Sequence, residues 1–323
     1  TILSGDIDQD DLPEFANNSG NAYHVLFAGP GITAATLLDG FTITAGNANR
    51  ANPENFGGGL YLDSASPSLN NCSFQGNSAD VGGGIFNDNS SPSITNCSFQ
   101  GNSADRDGGG IFNFDSSPSL NNCSFLGNRA TSNGGGIYNS SSSPSITNCS
   151  FQGNSADFGG GIFNISSSPS INNCILWNNR DQSGTGTANA SVYNIIRTPT
   201  YNYCLIQGLS PAGTNNLDGT LTANDPLFVS EVDPLSAPTT GGDLRLRAGS
   251  PAIDVGDGIS GASVNPTTTD LAGNPRFVDG PDTTNAINTA TIDLGAYEQQ
   301  GVIYVDDDVS GGANDGTSWA NAY

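Results

Sequence analysis

The stretch Ser91-Pro-Ser-Ile-Thr-Asn-Cys-Ser-Phe-Gln-Gly-Asn-Ser-Ala-Asp105 decides the fold, because it returns unchanged at residues 143–157. Close variants occupy residues 66–80, 117–131 and 168–180, and a Gly-Gly-Gly-Ile or Gly-Gly-Gly-Leu segment recurs between copies. The cysteines mark the period, since consecutive members of the series are 25 or 26 residues apart. Self-similarity at this period is typical of a solenoid, in which each repeat is one coil and buries its apolar side against its neighbours.

Within one repeat, the residue pattern predicts short strands rather than a helix. Three consecutive glycines, a proline and several Ser and Asn residues in every coil exclude a helix. Cys97 and Phe99 follow the alternation of a strand, whereas the step from Ile94 to Cys97 does not. The chain must therefore bend near Asn96, a residue type that tolerates the left-handed conformation. Three short strands separated by bends predict an all-β fold, a right-handed parallel β-helix, with the hand following the usual crossover rule.

Stacked coils would place equivalent side chains in ladders, because neighbouring strands lie about 4.8 Å apart. The asparagines at the predicted bend would link their amides from coil to coil, and the phenylalanines would form the core. The cysteines are predicted to be buried free thiols, since parallel stacking points their Cβ atoms in one direction, a poor geometry for disulfides. The predicted ladders comprise Asn71, Asn96, Asn122, Asn148 and Asn173; Phe74, Phe99, Phe125 and Phe151; and Cys72, Cys97, Cys123, Cys149 and Cys174.

Two groups of motifs resemble known bacterial families. The spacing Phe99-x-x-Asn102, repeated in four coils beside Gly-Gly-Gly-Ile, resembles the polymorphic outer-membrane-protein repeats. The segments 242–254 and 292–298 resemble the closing part of secreted β-helix proteins of the choice-of-anchor Q type. These resemblances imply a bacterial protein that is secreted or displayed on the cell surface, and they imply no catalytic residues.

The repeat weakens towards both ends of the chain. We expect one β-helix domain over residues 1–301, with regular coils at about 55–180 and irregular coils and a cap over 181–301. Residues 302–323 resemble the start of another such domain. Either the chain is a section of a tandem array, or residues 302–323 complete the open N-terminal end of a neighbouring subunit, which would generate a filament. The apolar residues predicted to make this contact are Val302, Ile303, Tyr304, Val305, Trp319 and Tyr323.

Charge and composition exclude two classes of partner. The chain has 31 acidic residues against 8 arginines and no lysine, a formal net charge of −23. A nucleic-acid-binding protein needs clustered cations, which are absent from this sequence. A membrane-spanning helix needs about 20 consecutive apolar residues, and no such run exists. A polar, lysine-free and strongly acidic chain suits an exposed setting, and together with the resemblances this composition leads us to expect an extracellular or cell-surface location.

Two acidic turns are candidate calcium sites. Asp6, Asp8 and Asp10 alternate along the chain, and Asp306 and Asp308 belong to a similar run near the C-terminus. Alternate carboxylates resemble the start of an oxygen-rich calcium loop, although neither run has the distal Glu of a full loop. The alternative is a solvated acidic turn, and calcium is the one cofactor that the sequence suggests.

The sequence therefore predicts an extracellular scaffold module that assembles head to tail with copies of itself. One alternative is a cell-surface adhesin that binds glycans. A second alternative is a polysaccharide lyase or hydrolase using Arg129 and Arg180, which occupy equivalent positions two coils apart. The chain has no lysine to act as a base, and its regular coils present Ser and Thr rather than paired carboxylates. On these grounds we predict no enzymatic activity and no catalytic residues.

Overall fold

The chain winds into a right-handed parallel β-helix, and the predicted all-β fold class is confirmed. The computed structural model describes residues 1–11, 17–257, 269–276 and 291–299. Three sheets run the length of the solenoid, and a fourth accompanies part of it. A regular coil contributes one strand to each sheet; in the coil at Cys72 these strands are, in chain order, Ser68–Asn70, Ser73–Gln75, Ser78–Val81 and Ile85–Asp88.

Neighbouring strands in these four sheets are parallel. The first sheet contains Ile2–Ser4, Thr42–Thr44, Ser73–Gln75, Ser98–Gln100, Ser124–Leu126, Ser150–Gln152, Ile175–Trp177 and Leu205–Ile206. The second contains Leu26–Ala28, Leu60–Asp63, Ile85–Asp88, Ile111–Phe114, Ile137–Ser140, Ile162–Ile165 and Val192–Ile195. The third contains Leu37–Asp39, Ser68–Asn70, Ser93–Thr95, Ser119–Asn121, Ser145–Thr147, Ser170–Asn172 and Thr200–Asn202.

The fourth sheet is a difference from the three strands per coil that the pattern predicts. Three of its four strands directly follow the asparagine of a Phe-x-x-Asn spacing, and its inward alanines, such as Ala104 and Ala130, pack together in a small cluster. A small side chain suits this position because the coil is narrow between two turns. Its strands are Asn47–Ala48, Ser78–Val81, Ser103–Asp107 and Arg129–Ala130.

The asparagines between the third and first sheets occupy the bend. All five have positive φ, between 51° and 58°, the left-handed conformation that a sharp turn between strands requires. Their amides link neighbouring coils over part of the stack: Asn96 Nδ2 donates to Asn71 Oδ1 at 3.2 Å, and Asn122 Nδ2 donates to Asn96 Oδ1 at 2.7 Å. Asn148 donates sideways to Asn121, and Asn173 then donates to Asn148 at 3.2 Å.

The core is a column of stacked apolar side chains. The rings of Phe74, Phe99, Phe125 and Phe151 are fully buried and stacked nearly parallel, with centroids 4.4–5.1 Å apart. The cysteines lie beside this column, and all six, including Cys204, are buried and free. Each thiol donates to a backbone carbonyl two residues earlier, as Cys97 does to Thr95 at 3.3 Å, so the sulfur atoms have partners inside the core.

The triple glycines have two separate causes. The first of each set, such as Gly82, has positive φ. The second and third do not, but they face the next coil: a Cβ atom on Gly83 would lie 2.3 Å from Ser103 O, and one on Gly84 would lie 2.5 Å from Gly110 O. Real Cβ atoms do not approach a carbonyl so closely, so two of the three glycines permit coil contact rather than bending.

Shorter elements complete the described chain. The longest α-helix among the described residues is the four-residue segment Ala188–Ser191, so no helix there could cross a membrane. Antiparallel pairs and single 3₁₀ turns make up the rest of the secondary structure. The pairs are Arg180–Asp181 with Gly184–Thr185, Phe228–Ser230 with Asp243–Leu246, and Gly256–Asp257 with Thr291–Ile292; the turns are Asn18–Gly20, Thr222–Asn224 and Pro234–Ser236.

Candidate assembly site

The N-terminal end of the solenoid consists of three edge strands. Ile2–Ser4, Leu26–Ala28 and Leu37–Asp39 are the first strands of the first, second and third sheets, and each pairs on one side only within the described chain. Apolar side chains on these strands face solvent: Ile2 is 68%, Phe27 60% and Leu37 56% exposed. An edge with free backbone groups and apolar side chains is a template for an additional strand.

Behind this edge lies an apolar cavity of about 320 Å³. It opens between the second and third sheets, at the position where a further coil would fill the column of core side chains. Its lining is dominated by leucines of the first two coils, so an apolar group entering it would be removed from water. The leucines that line it are Leu26, Leu37, Leu38, Leu60, Leu62 and Leu69.

The chain itself covers part of the opposite end. After the last full coil the backbone turns back, and Tyr203 N donates to Thr214 O at 2.8 Å while Leu217 N donates to Cys204 O at 2.9 Å. Leu217 forms a parallel bridge with Leu205 and adds a partial coil. The last strands of the second and third sheets, Val192–Ile195 and Thr200–Asn202, still pair on one side only within the described chain. Edge strands are therefore present at both ends, and the leucine-lined cavity is the feature that the N-terminal end adds to them.

An acidic turn lies on the first coil, beside the open end. Carboxylate oxygens of Asp6, Asp10 and Asp11 lie within 4.8 Å of one another, while Asp8 is not in that group. Burial and the neighbouring carboxylates of Asp8, Asp6 and Asp11 raise the pKa of Asp10. Asn21 donates to one oxygen of Asp11 at 2.8 Å. This group of three carboxylates could hold a cation, and it overlaps only partly with the predicted set.

The remaining predicted residues are in the C-terminal segment. Val302, Ile303, Tyr304, Val305, Trp319 and Tyr323, together with Asp306 and Asp308, lie outside the residues that the structure describes. Their part in assembly or in cation binding therefore stays a prediction.

The described residues after the partial coil run back along the side of the solenoid, against the outer face of the first sheet. Gln152 pairs with the backbone of Val232, donating to its carbonyl at 2.8 Å and accepting from its N–H at 2.9 Å. Ala296 N donates to Ser150 Oγ at 3.0 Å. We call this part of the chain the tail; it comprises residues 226–257, 269–276 and 291–299. The tail forms a lateral cover on the solenoid, whereas the sequence predicts an end cap here.

A signal for this cover is present in the sequence but was missed. In the strands Ser73–Gln75 and Ser98–Gln100 of the first sheet, the outward positions are Ser and Gln, and most of the tail does not cover these strands. The same positions become apolar at Leu126, Ile175 and Trp177. These three side chains pack in one buried cluster with Phe228, Val232, Leu244, Leu246 and Leu294 of the tail.

The tail also buries a group of charges that the sequence analysis did not identify. Arg276 is fully buried, lies 3.3 Å from Glu298 and donates to Gly295 O. Carboxylate oxygens of Asp254, Asp293 and Glu298 lie within 4.8 Å of one another. Burial raises the pKa of Asp293 to about 7 and that of Glu298 to about 9. Carboxyl groups that take up protons on folding reduce the negative charge that must be buried here.

Comparisons with known proteins agree with the fold. Residues 13–151 match a family model described as a right handed beta helix region. Among solved structures, the chain is similar to the crystal structure of pectate lyase Pel9A, with 14% sequence identity, coverage of 85% of this chain and 88% of that chain, and a TM-score of 0.36. No curated protein matches the sequence. The closer resemblance to choice-of-anchor Q proteins stays a prediction.

The prediction that the chain is not an enzyme is corrected, because right-handed β-helices include enzymes as well as non-enzymes and neither the fold nor the repeat is a ground for excluding catalysis. The similarity to the pectate lyase assigns no reaction to this chain. The two arginines named for a lyase lie in one backbone ladder beside the fourth sheet. Ser155 forms a parallel β-bridge with Arg129 on one side and with Arg180 on the other.

Proposed function

We propose that this protein is a structural module of an extracellular scaffold, in which modules associate head to tail. The apolar segment Val302–Val305 of one module adds to the open N-terminal edge of the next and fills its apolar cavity. The observation that carries this proposal is the leucine-lined cavity beside the three edge strands of the N-terminal end.

Strand addition suits these surfaces for two reasons. Edge strands such as Leu37–Asp39 supply backbone hydrogen-bonding groups, which give affinity without demanding a particular sequence. Alternate apolar side chains of the incoming strand can enter the cavity, where burial of one large apolar side chain contributes about 1.5–3 kcal/mol. The contact is heterologous, so it generates an open chain of modules rather than a closed dimer.

Charge opposes this association. Each chain carries a formal charge of −23, and the acidic turn at Asp6, Asp10 and Asp11 lies on the receiving coil. The segment that follows Val305 is acidic as well. Association therefore depends on apolar burial and backbone pairing, and the assay belongs at about 0.15 M salt or above, where the Debye length is about 8 Å or less.

Two complementary variants of the full chain test the proposal. The first variant, Leu37→Asp, places a charge on the receiving edge. The second variant combines Ile303→Asp with Tyr304→Asp on the donor strand. Because neighbouring side chains of a strand point to opposite faces, one of these two carboxylates lies on the buried face whichever face that is. We expect the unmodified chain to form oligomers in light scattering and filaments in electron microscopy. Each variant alone should be monomeric, and an equimolar mixture should form dimers and no larger species, because each dimer uses the one intact surface of each partner.

The control is Phe114→Asp, an apolar-to-charged change at a side chain that is 42% exposed in the middle of the second sheet, where the preceding coil already has Asp88 at the paired position. This variant should assemble like the unmodified chain. A monomeric unmodified chain would contradict assembly between separate chains, and oligomers that persist in both single-surface variants would show that another surface is used.

A further inference from the structure

A cleft of about 420 Å³ with a mixed polar and apolar lining lies between the tail and the irregular coil that follows Cys174. Asn178, Arg180 and Thr185 line it from the solenoid, and Glu231, Asp233 and Leu235 line it from the tail. Its volume lies in the range of small-molecule sites, which are commonly about 300–1,000 Å³. The cleft is remote from the open N-terminal end, so it is independent of the proposed assembly.

Both walls form where the regular pattern of the chain is broken. Twelve residues lie between Asn179 and Val192, against seven between the equivalent Asn154 and Ile162, and the longer segment contains the hairpin that begins at Arg180. Departures from an otherwise consistent repeat are expected at functional sites, because nothing in coil stacking requires them.

The two walls are held at a fixed spacing by hydrogen bonds. Asn178 Nδ2 donates to Glu231 Oε2 at 3.0 Å and to Val232 O at 3.3 Å. On the tail side, Asp233 Oδ1 accepts from Leu235 N at 2.9 Å, which fixes the turn that carries both side chains. The cleft is therefore largely preformed, and a ligand would not need to order a loop on binding.

The lining contains donors, acceptors and an apolar surface. Arg180 has no ion-pair partner among the described residues, so its N–H groups are open to a ligand. Glu231 and Asp233 each retain acceptor capacity, and Leu235 presents an apolar side chain to solvent. The formal charge of these residues sums to −1, and the whole chain is strongly acidic, which disfavours an anionic ligand.

We infer that this cleft binds a neutral saccharide of one or two sugar units. Sugar hydroxyls both donate and accept hydrogen bonds, so one ligand satisfies Arg180 and the carboxylates of Glu231 and Asp233 together. The C–H face of a sugar ring packs against Leu235. An acidic sugar would gain a contact with Arg180 but would meet the two carboxylates on the opposite wall.

The test uses the full chain on an array of immobilised oligosaccharides, with neutral probes built from glucose, galactose, mannose and N-acetylglucosamine and acidic probes containing galacturonate. Titration calorimetry with the neutral probe that binds best then compares variants. We expect Arg180→Ala and Glu231→Ala to weaken binding by about tenfold or more, because each removes a charge-assisted hydrogen bond. Arg129→Ala, at the equivalent ladder position two coils away, should change binding by less than about twofold.

Leu235→Asp is a further variant, at a side chain that is exposed and lies outside the core. This change should abolish binding of the neutral probe and leave the circular dichroism spectrum unchanged. Binding of no neutral probe would overturn the inference. Binding confined to galacturonate probes, or neutral binding that is insensitive to Arg180 and Glu231, would overturn it equally.

Discussion

At the scale of single residues, the asparagines of the Phe-x-x-Asn spacing form a fully buried polar ladder. Asn102 Nδ2 donates to Asn128 Oδ1 at 2.9 Å and to Phe74 O at 2.9 Å, and Asn102 Oδ1 accepts from both the backbone and the side chain of Asn77. One amide therefore satisfies groups in the coil before it and contacts the coil after it. This explains why the spacing recurs, since each turn here needs a buried partner for its backbone.

Replacing Asn102 with Ala should destabilise the protein by at least about 2 kcal/mol, because the N–H groups of Asn77 and the carbonyl of Phe74 would lose buried partners. The measurement is the shift of the urea unfolding midpoint followed by circular dichroism.

The matched control is Asn71→Gly, at the exposed end of the bend ladder. Glycine keeps the left-handed backbone there, so the loss should be about 1 kcal/mol or less. Equal losses at the two positions would show that the buried ladder has no special part in stability.

At the scale of the coil, consecutive glycines allow the backbones of neighbouring coils to approach closely. The carbonyl of Gly110 occupies the space that a Cβ on Gly84 would need, at 2.5 Å. Because of this close approach, a second-sheet strand can begin a few residues after the fourth-sheet strand of the same coil. It also explains why three glycines are consecutive, since a single turn would need only one.

Gly84→Ala should therefore cost about 1–3 kcal/mol through overpacking, since the blocking atom belongs to the backbone and cannot rotate away. Thermal unfolding of the variant, compared with the unmodified chain, measures this loss.

Gly241→Ala is the control for the added methyl group. A Cβ there would meet only Thr239 Oγ1, at 3.7 Å, and its stability should stay within about 0.5 kcal/mol of the unmodified chain. If Gly84→Ala is equally neutral, the close-contact explanation of the triple glycine is wrong.

At the scale of the whole molecule, a solenoid with an uncharged column of core side chains carries a lateral cover that buries charged groups. The coil interior is built from apolar side chains and amides, whereas the tail buries Arg276 with several carboxyl groups. The two parts should therefore respond differently to pH. Asp254, Asp270, Asp293 and Glu298 are the acidic groups of the described tail that surround this arginine or its partners.

Attachment of the tail should weaken as the pH rises from about 5 to about 9. The folded pKa of Asp293 is about 7 and that of Glu298 about 9, both above the unfolded value of about 4, so the docked state binds more protons. Such groups stabilise the docked state fully below the unfolded pKa, and this stabilisation falls as the pH rises through the folded values.

Trp177 reports on the attachment, because it is buried in the cluster that the tail covers. In a Trp319→Phe background, the urea midpoint of its fluorescence should fall with rising pH, and Asp293→Asn should reduce that dependence. A midpoint that does not change with pH would contradict the assignment of proton uptake to this cluster.

The sequence by itself determined the period, the positions of three of the four strands in a coil, the left-handed asparagines and the stacked phenylalanines, because each coil contacts chiefly its neighbours and one repeated pattern sets every such contact. Only the tertiary structure decided where the tail lies, since Gln152 and Val232 meet across 80 residues and Ser150 and Ala296 across 146. It also decided where the leucine-lined cavity lies and that Arg180 and Glu231 line one cleft. Contacts between segments without a common repeat depend on surfaces that exist only after the solenoid has formed.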